Sequence, residues 1–296
     1  MGAGRTDASA ARPRTRRFST VYGVDFSGAR LAGRTTWLAR TESRGRAGRL
    51  ELVELASLEQ LSGSAERAPA LAYLVRAIAA SRGALWAIGA PFGLPVEVMD
   101  GGMSWAGLLR FVRRWDRDGY DLGLWALERA RALGGPQHIY RATDRAARAP
   151  FDAYHYRIIY QTYHGLRDVI YPLTRVRETA VMPFQYRRLP LARRVVVETC
   201  QASTLKRLGL PHQNYKQPEG GALSPVRRRT RRTILAGLAP YVDIGERHRR
   251  VIARDPGGDA LDAVIAAVGA RASWQRTDHG AVARHARYRR EGFLYV

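Results

Sequence analysis

The chain has a single cysteine, Cys200, in 296 residues, which excludes an intrachain disulfide framework and a cysteine-based structural zinc site. Lysine is almost as scarce: Lys206 and Lys216 are the only two, so arginine carries nearly all the positive charge. No apolar run reaches the length of a membrane span, and the first residues lack the apolar stretch of a secretory signal. Neither terminus offers a basic amphipathic helix with large apolar anchors, which sets a membrane surface aside as a partner. Seven histidines, among them His138, His155 and His164, show no HExxH or Cys/His zinc spacing and receive no metal assignment. The expectation is a soluble, cytoplasmic protein that contacts no membrane.

Basic residues, by contrast, outnumber acidic ones 49 to 26, a formal net charge of +23. A GC-rich genome accounts for arginine in place of lysine, but it does not require an uncompensated charge. The excess points to a polyanionic partner, nucleic acid first, because a basic surface gains affinity by neutralising phosphates and releasing their counterions. The length suffices for one large α/β core carrying an insertion.

Residues 1–17 are rich in Ala, Gly, Arg and Ser without hydrophobic periodicity and read as a disordered basic arm. From Phe18 onward, segments ending at Asp25, near Trp37 and near Leu52 read as three consecutive antiparallel strands. Residues 65–81 have apolar positions at helical spacing with Gly83 as the stop, and ALWAIGA follows as a fourth strand. Between about 103 and 177 the composition shifts to Trp, Tyr, His and Arg in helical patterns, which reads as a helical insertion. RRVVVET is a further strand, followed by a short helix around Leu205, an Arg-dense helix from Pro225 to Leu238 and a helix from Asp259. The closing FLYV is a candidate edge strand.

Four segments carry the chemistry: GVDFSGAR around Asp25, LWAIGAPFGLP around Gly89, VVVETCQAS around Glu198, and GGDALDAVIAA with Asp259 and Asp262. The first three are apolar runs of strand length that break at a turn, so Asp25 and Glu198 sit at strand ends. Asp259 and Asp262 are three apart on a helix whose apolar positions are Leu261, Val264, Ile265 and Val268, and so share one face. Three acidic loci could thus converge. Each also has a plainer reading: Asp25 as a turn former, Glu198 as the salt-bridge partner of an arginine, Asp259 as a partner of the helix dipole. The small-residue turn after Asp25 would let backbone amides approach a phosphate.

In order and spacing these segments, with LGLP and YK downstream and EGFLYV at the end, resemble the predicted-nuclease domain of unknown function family 429, assigned to the ribonuclease H-like superfamily. The resemblance runs from about residue 20 onward. It implies a ribonuclease H-like mixed five-stranded sheet with flanking helices over 18–296, its first strand central. It also implies a divalent-metal-dependent nuclease acting on DNA or RNA. On that implication Asp25, Glu198 and Asp262 would ligate Mg2+ or Mn2+, with Asp259 a further catalytic carboxylate. Asp25 would bridge two ions about 4 Å apart. One departure stands out: Gly89 occupies a place where family members often carry Asp.

Lys216, after Tyr215, is a candidate contact to the scissile phosphate, with a mobile surface lysine as the alternative. Arg227, Arg228, Arg229, Arg231 and Arg232 put five arginines in six positions and suit phosphate tracking, the alternative being a solvated helix face. Tyr154, Tyr156, Tyr160 and Tyr163 either stack on bases or pack a helical core. Two other functions stay open: a nucleic-acid-binding protein that kept the fold and lost hydrolysis, and, behind it, a nucleotide-dependent phosphotransferase, which lacks a second Gly-rich phosphate loop here. Oligomeric state is open as well, a homodimer being one option because resolvase-like relatives dimerise.

Overall fold

Strands of two to nine residues, the longer ones carrying buried apolar positions, pair into the sheet that organises the chain. The computed structural model describes residues 16–44, 48–99 and 101–296. The basic arm expected over 1–17 therefore lies outside the described residues except for Arg16 and Arg17. The strands are β1 (Thr20–Asp25), β2 (Trp37–Arg44), β3 (Arg49–Ser57), β4 (Ala84–Ile88), β5 (Thr179–Val181), β6 (Arg194–Glu198) and β7 (Val242–Asp243). They form one mixed sheet in the order β5-β6-β4-β1-β2-β3-β7.

The first three strands are antiparallel in series, as expected from consecutive strand-like segments joined by Gly/Arg turns, and β4, β6 and β5 run parallel to β1 on its other side. The sheet has seven strands among the described residues, not five. The two extra strands are short edge pieces, β5 beside β6 and β7 beside β3, and neither is long enough to stand out as a periodic run. The terminal FLYV is not an edge strand: Leu294 makes an isolated parallel bridge to Glu198, and Tyr295 donates its N–H to the Glu198 carbonyl.

Side chains alternate across the strands, so each face of the sheet builds its own core. On one face Val24, Trp86, Ile88 and Val196 pack against the helix Arg67–Ala80 and the helices of residues 105–173. On the other, Val21, Leu85, Ala87, Val195 and Val197 pack against the helix Asp259–Arg276, whose residues 260–268 are all buried. Within the insertion, the chain is helical from Ile159 to Leu173 with a π-helical turn at Gly165–Ile170. Among the described residues no helix is long and apolar enough to cross a membrane.

One close approach positions the site. Gly23, in the middle of β1, faces the helix Asp259–Arg276, and a β-carbon there would sit 1.9 Å from the carbonyl oxygen of Ala263. Only glycine lets this helix lie against the strand, and the contact brings the first turn of the helix level with the end of β1.

Candidate functional site

Parallel strands end at the same edge of a sheet, so Asp25 at the end of β1, Gly89 after β4 and Glu198 at the end of β6 are neighbours along one rim. A cavity of about 320 Å³ opens there, with Asp25, Gln201, Lys216 and Asp262 at one end and Arg141, Asp144 and Glu198 at the other. Pro91, Pro150, Phe151 and Ile158 form apolar walls.

Three of the four predicted carboxylates meet at one point. The Lys216 ammonium lies 2.5 Å from Oδ2 of Asp262, 3.4 Å from Oδ1 of Asp259 and 4.0 Å from Oδ2 of Asp25. Tyr215 donates its hydroxyl to Oδ1 of Asp262 at 2.8 Å, and Gln201 donates Nε2 to Oδ1 of Asp25 at 3.0 Å. Asp25 is 14% exposed, whereas the Lys216 side chain keeps 38% of its surface in solvent.

Burial pushes the Asp25 carboxyl well above its ordinary pKa. Lys216 pulls the other way, while Asp262, Asp259 and Asp255 add repulsion. Asp259 is raised for the same first reason, burial, against the pull of Lys216. Burial alone would lower Lys216, but the summed attraction of Asp262, Asp25, Tyr215 and Asp259 holds it well above the usual lysine value. Lys216 is thus ion-paired with this carboxylate cluster.

Glu198 stands apart. It is in phase with Val196, so its carboxylate leaves the sheet on the side of residues 105–173. Asp25, in phase with Val21 and Gly23, leaves on the side of the helix Asp259–Arg276. Arg141 Nη1 donates to Oε2 of Glu198 at 3.0 Å while Nη2 donates to the other oxygen, and the Phe92 N–H donates to Oε2 as well. The same guanidinium holds Asp144 through Nε and Nη2. Burial raises the Glu198 pKa and Arg141 offsets part of the rise. Of the two readings of Glu198, the structure contains the salt bridge.

At Gly89 the space is filled by Gln201: a β-carbon on Gly89 would be 2.5 Å from Gln201 Nε2. Sequence reasoning did not single out Gln201 or Arg141. Gln201 lies three residues beyond Glu198, the last residue of β6, which is the only sequence signal for its role. Cys200 lines the cavity with its thiol pKa raised by burial, as befits a small packed residue. Gly28, in the turn after Asp25, serves packing: a β-carbon there would be 2.1 Å from the Tyr160 carbonyl. Among the described residues no three His, Cys, Asp or Glu side chains stand at the spacing of a metal site.

The arginine run divides by helical phase. Arg228, Arg229 and Arg232 are exposed, and Arg227 is half-buried with Nη1 on Gln217. Arg231 is a correction to the phosphate-tracking reading, since it is 3% exposed and its donors are used internally. Nε donates to the Tyr215 carbonyl, Nη1 to those of Ile252 and Asp255, and Nη2 to that of Pro256. It ties the segment carrying Lys216 to the turn that precedes Asp259. The tyrosines divide in the same way: Tyr154 and Tyr163 are buried, Tyr156 and Tyr160 exposed.

Comparison of the chain with protein-family models, curated proteins and solved structures gave no match.

Proposed function

We propose that the protein is a divalent-metal-dependent nuclease of the ribonuclease H-like type, with Asp25, Asp259 and Asp262 as its working carboxylates. The observation that carries this reading is the convergence of these three side chains, from a central strand and a distant helix, on one positive charge. The sheet is consistent with it: β1 is central, antiparallel β2 and β3 lie on one side, and parallel β4 and β6 on the other. So is the +23 charge.

The donor set suits a hard cation. Mg2+ needs one or two carboxylates, water and substrate phosphate, and Asp25 and Asp262 each offer an oxygen within 4.0 Å of the Lys216 nitrogen, a position a cation already occupies. Asp25 and Asp262 would hold Mg2+ or Mn2+ with Asp259 beside them, and the bound ion would supply charge neutralisation at the phosphate and an activated water. Glu198, committed to Arg141, has no part in this set. Oδ1 of Asp25 accepts from Gln201, so Oδ2 is the oxygen that Asp25 would offer to the ion. Gln201 and Tyr215 orient the two carboxylates, and Lys216 offers its ammonium to a phosphate oxygen.

A binding-only protein on the same fold is the second reading, and the Glu198–Arg141 pair together with glycine at position 89 favours it. Cleavage of labelled single-stranded, duplex, hybrid and branched nucleic acids with Mn2+ or Mg2+ separates the two. The nuclease reading predicts cleavage that requires metal and disappears in Asp25→Asn and in Asp262→Asn. Salt-sensitive binding without cleavage supports the second reading.

A further inference from the structure

Beyond Asp25 and the buried Phe26, the chain runs along the surface. Residues 27–30 form one wall of a second groove, of about 420 Å³, whose other walls carry Arg67, Arg157, Tyr160 and Gln161. Gln161 also lines the cavity that holds Asp25, so groove and cavity meet along residues 157–161. The groove is cationic: Arg30, Arg67 and Arg157 face it, and the nearest acid pairing with them is Glu66, 3.4 Å from Arg30.

An aromatic ladder climbs from the cavity wall to the surface beside this groove. Phe151, half-buried in the cavity, stacks on His155 with ring centres 4.5 Å apart, and His155 meets Tyr156 at another 4.5 Å. The Arg157 guanidinium lies 5.7 Å from the centres of both the Phe151 and Tyr156 rings, and its Nε donates to the Tyr156 hydroxyl. Tyr156 is 64% exposed and Tyr160 is 37% exposed, its hydroxyl donating to Asp118. A large aromatic left in water and braced by an arginine presents an open π-face that no core contact uses.

We infer that this groove and ladder grip an unpaired nucleic-acid strand, with one or two bases stacked on Tyr156 and the phosphates led past Arg30, Arg67 and Arg157 toward Asp25. Aromatic faces hold bases that have left a duplex, because paired bases are already stacked on their own neighbours. The inference rests on the proposed nuclease reading for what happens at Asp25, but not for the grip itself. DNA and RNA single strands share the chemistry it requires.

Fluorescence anisotropy in EDTA with oligothymidylate and oligouridylate of about twelve nucleotides, and with a blunt duplex of the same length, tests it. The expected result is tighter binding of at least one single strand than of the duplex, and the tighter of the two names the sugar. Tyr156→Ala weakens single-strand binding about tenfold while Tyr156→Phe keeps it. Arg157→Ala lowers the salt slope by about 0.7, the value for one phosphate contact on a single strand. Duplex bound as tightly as either strand, or Tyr156→Ala without effect, overturns the inference. Single-strand binding without cleavage under Mn2+ overturns the nuclease reading alone, whereas cleavage with equal duplex binding overturns only the grip.

Discussion

Gly23 of β1 and Ala263 of the helix Asp259–Arg276 touch backbone to backbone, with no room for a β-carbon between them. The site depends on this contact, since it sets the height of Asp262 against Asp25. An alanine at position 23 meets backbone atoms at 1.9 Å and 2.6 Å, and backbone cannot swing aside as a side-chain tip can. Gly23→Ala should cost about 3 kcal/mol in urea unfolding and lower Mn2+ affinity together with stability. Unchanged stability would mean that the helix does not lie where the structure has it.

Lys216 contacts three carboxylates at once. Lys216→Met leaves them facing each other and should cost about 1–3 kcal/mol, less than a fully buried pair would because the lysine is 38% exposed. Mn2+ should then raise the melting temperature of the variant more than that of the wild type, since a bound cation stabilises the state that holds it. Equal shifts in both would remove Lys216 from the cation site.

Asp25 makes a pH prediction with a definite sign. Its folded-state pKa is raised, first by burial, so the folded chain holds a proton that the unfolded chain releases. Stability is lost as pH rises from the ordinary carboxylate range of about 4 through the raised value. Asp25→Asn imitates the protonated form. It should match the wild type in melting temperature at acid pH and exceed it increasingly toward neutral and alkaline pH, by thermal scans across that window. A gap that closes as pH rises would reverse the sign and the account of this carboxylate.

The arginine run should split under mutation. Arg231→Ala strands four backbone carbonyls and should cost about 2–4 kcal/mol, with Lys216 displaced because its neighbour Tyr215 is one of the four anchors. Arg228→Ala and Arg232→Ala, both exposed, should leave unfolding within about 0.5 kcal/mol of wild type. If they contact phosphate, each reduces the salt dependence of nucleic-acid binding. The reverse pattern would refute the division by helical phase.

Much of this was readable in the sequence. The strand-to-turn breaks at Asp25 and Gly89 and the Gly-Gly start at Asp259 located the three segments that form the rim and its helix. Glu198 was not resolved, for a physical reason. VVV before it is buried on both faces of the sheet, so no alternation reveals which face Glu198 takes. Its partner Arg141 lies 57 residues earlier, in the part with the least distinctive pattern. Arg231 was misassigned because a run of arginines reads as one charged face, although a helix turns one of the five inward. The edge strands β5 and β7, of three and two residues, are too short to show a period.

The claim that Asp25, Asp259 and Asp262 form a cation site is tested most directly by calorimetric titration of the protein with Mn2+ at neutral pH. The account predicts saturable binding in the wild type that is abolished in Asp262→Asn and strongly weakened in Asp25→Asn. Absence of binding, or binding that both variants retain, would contradict it.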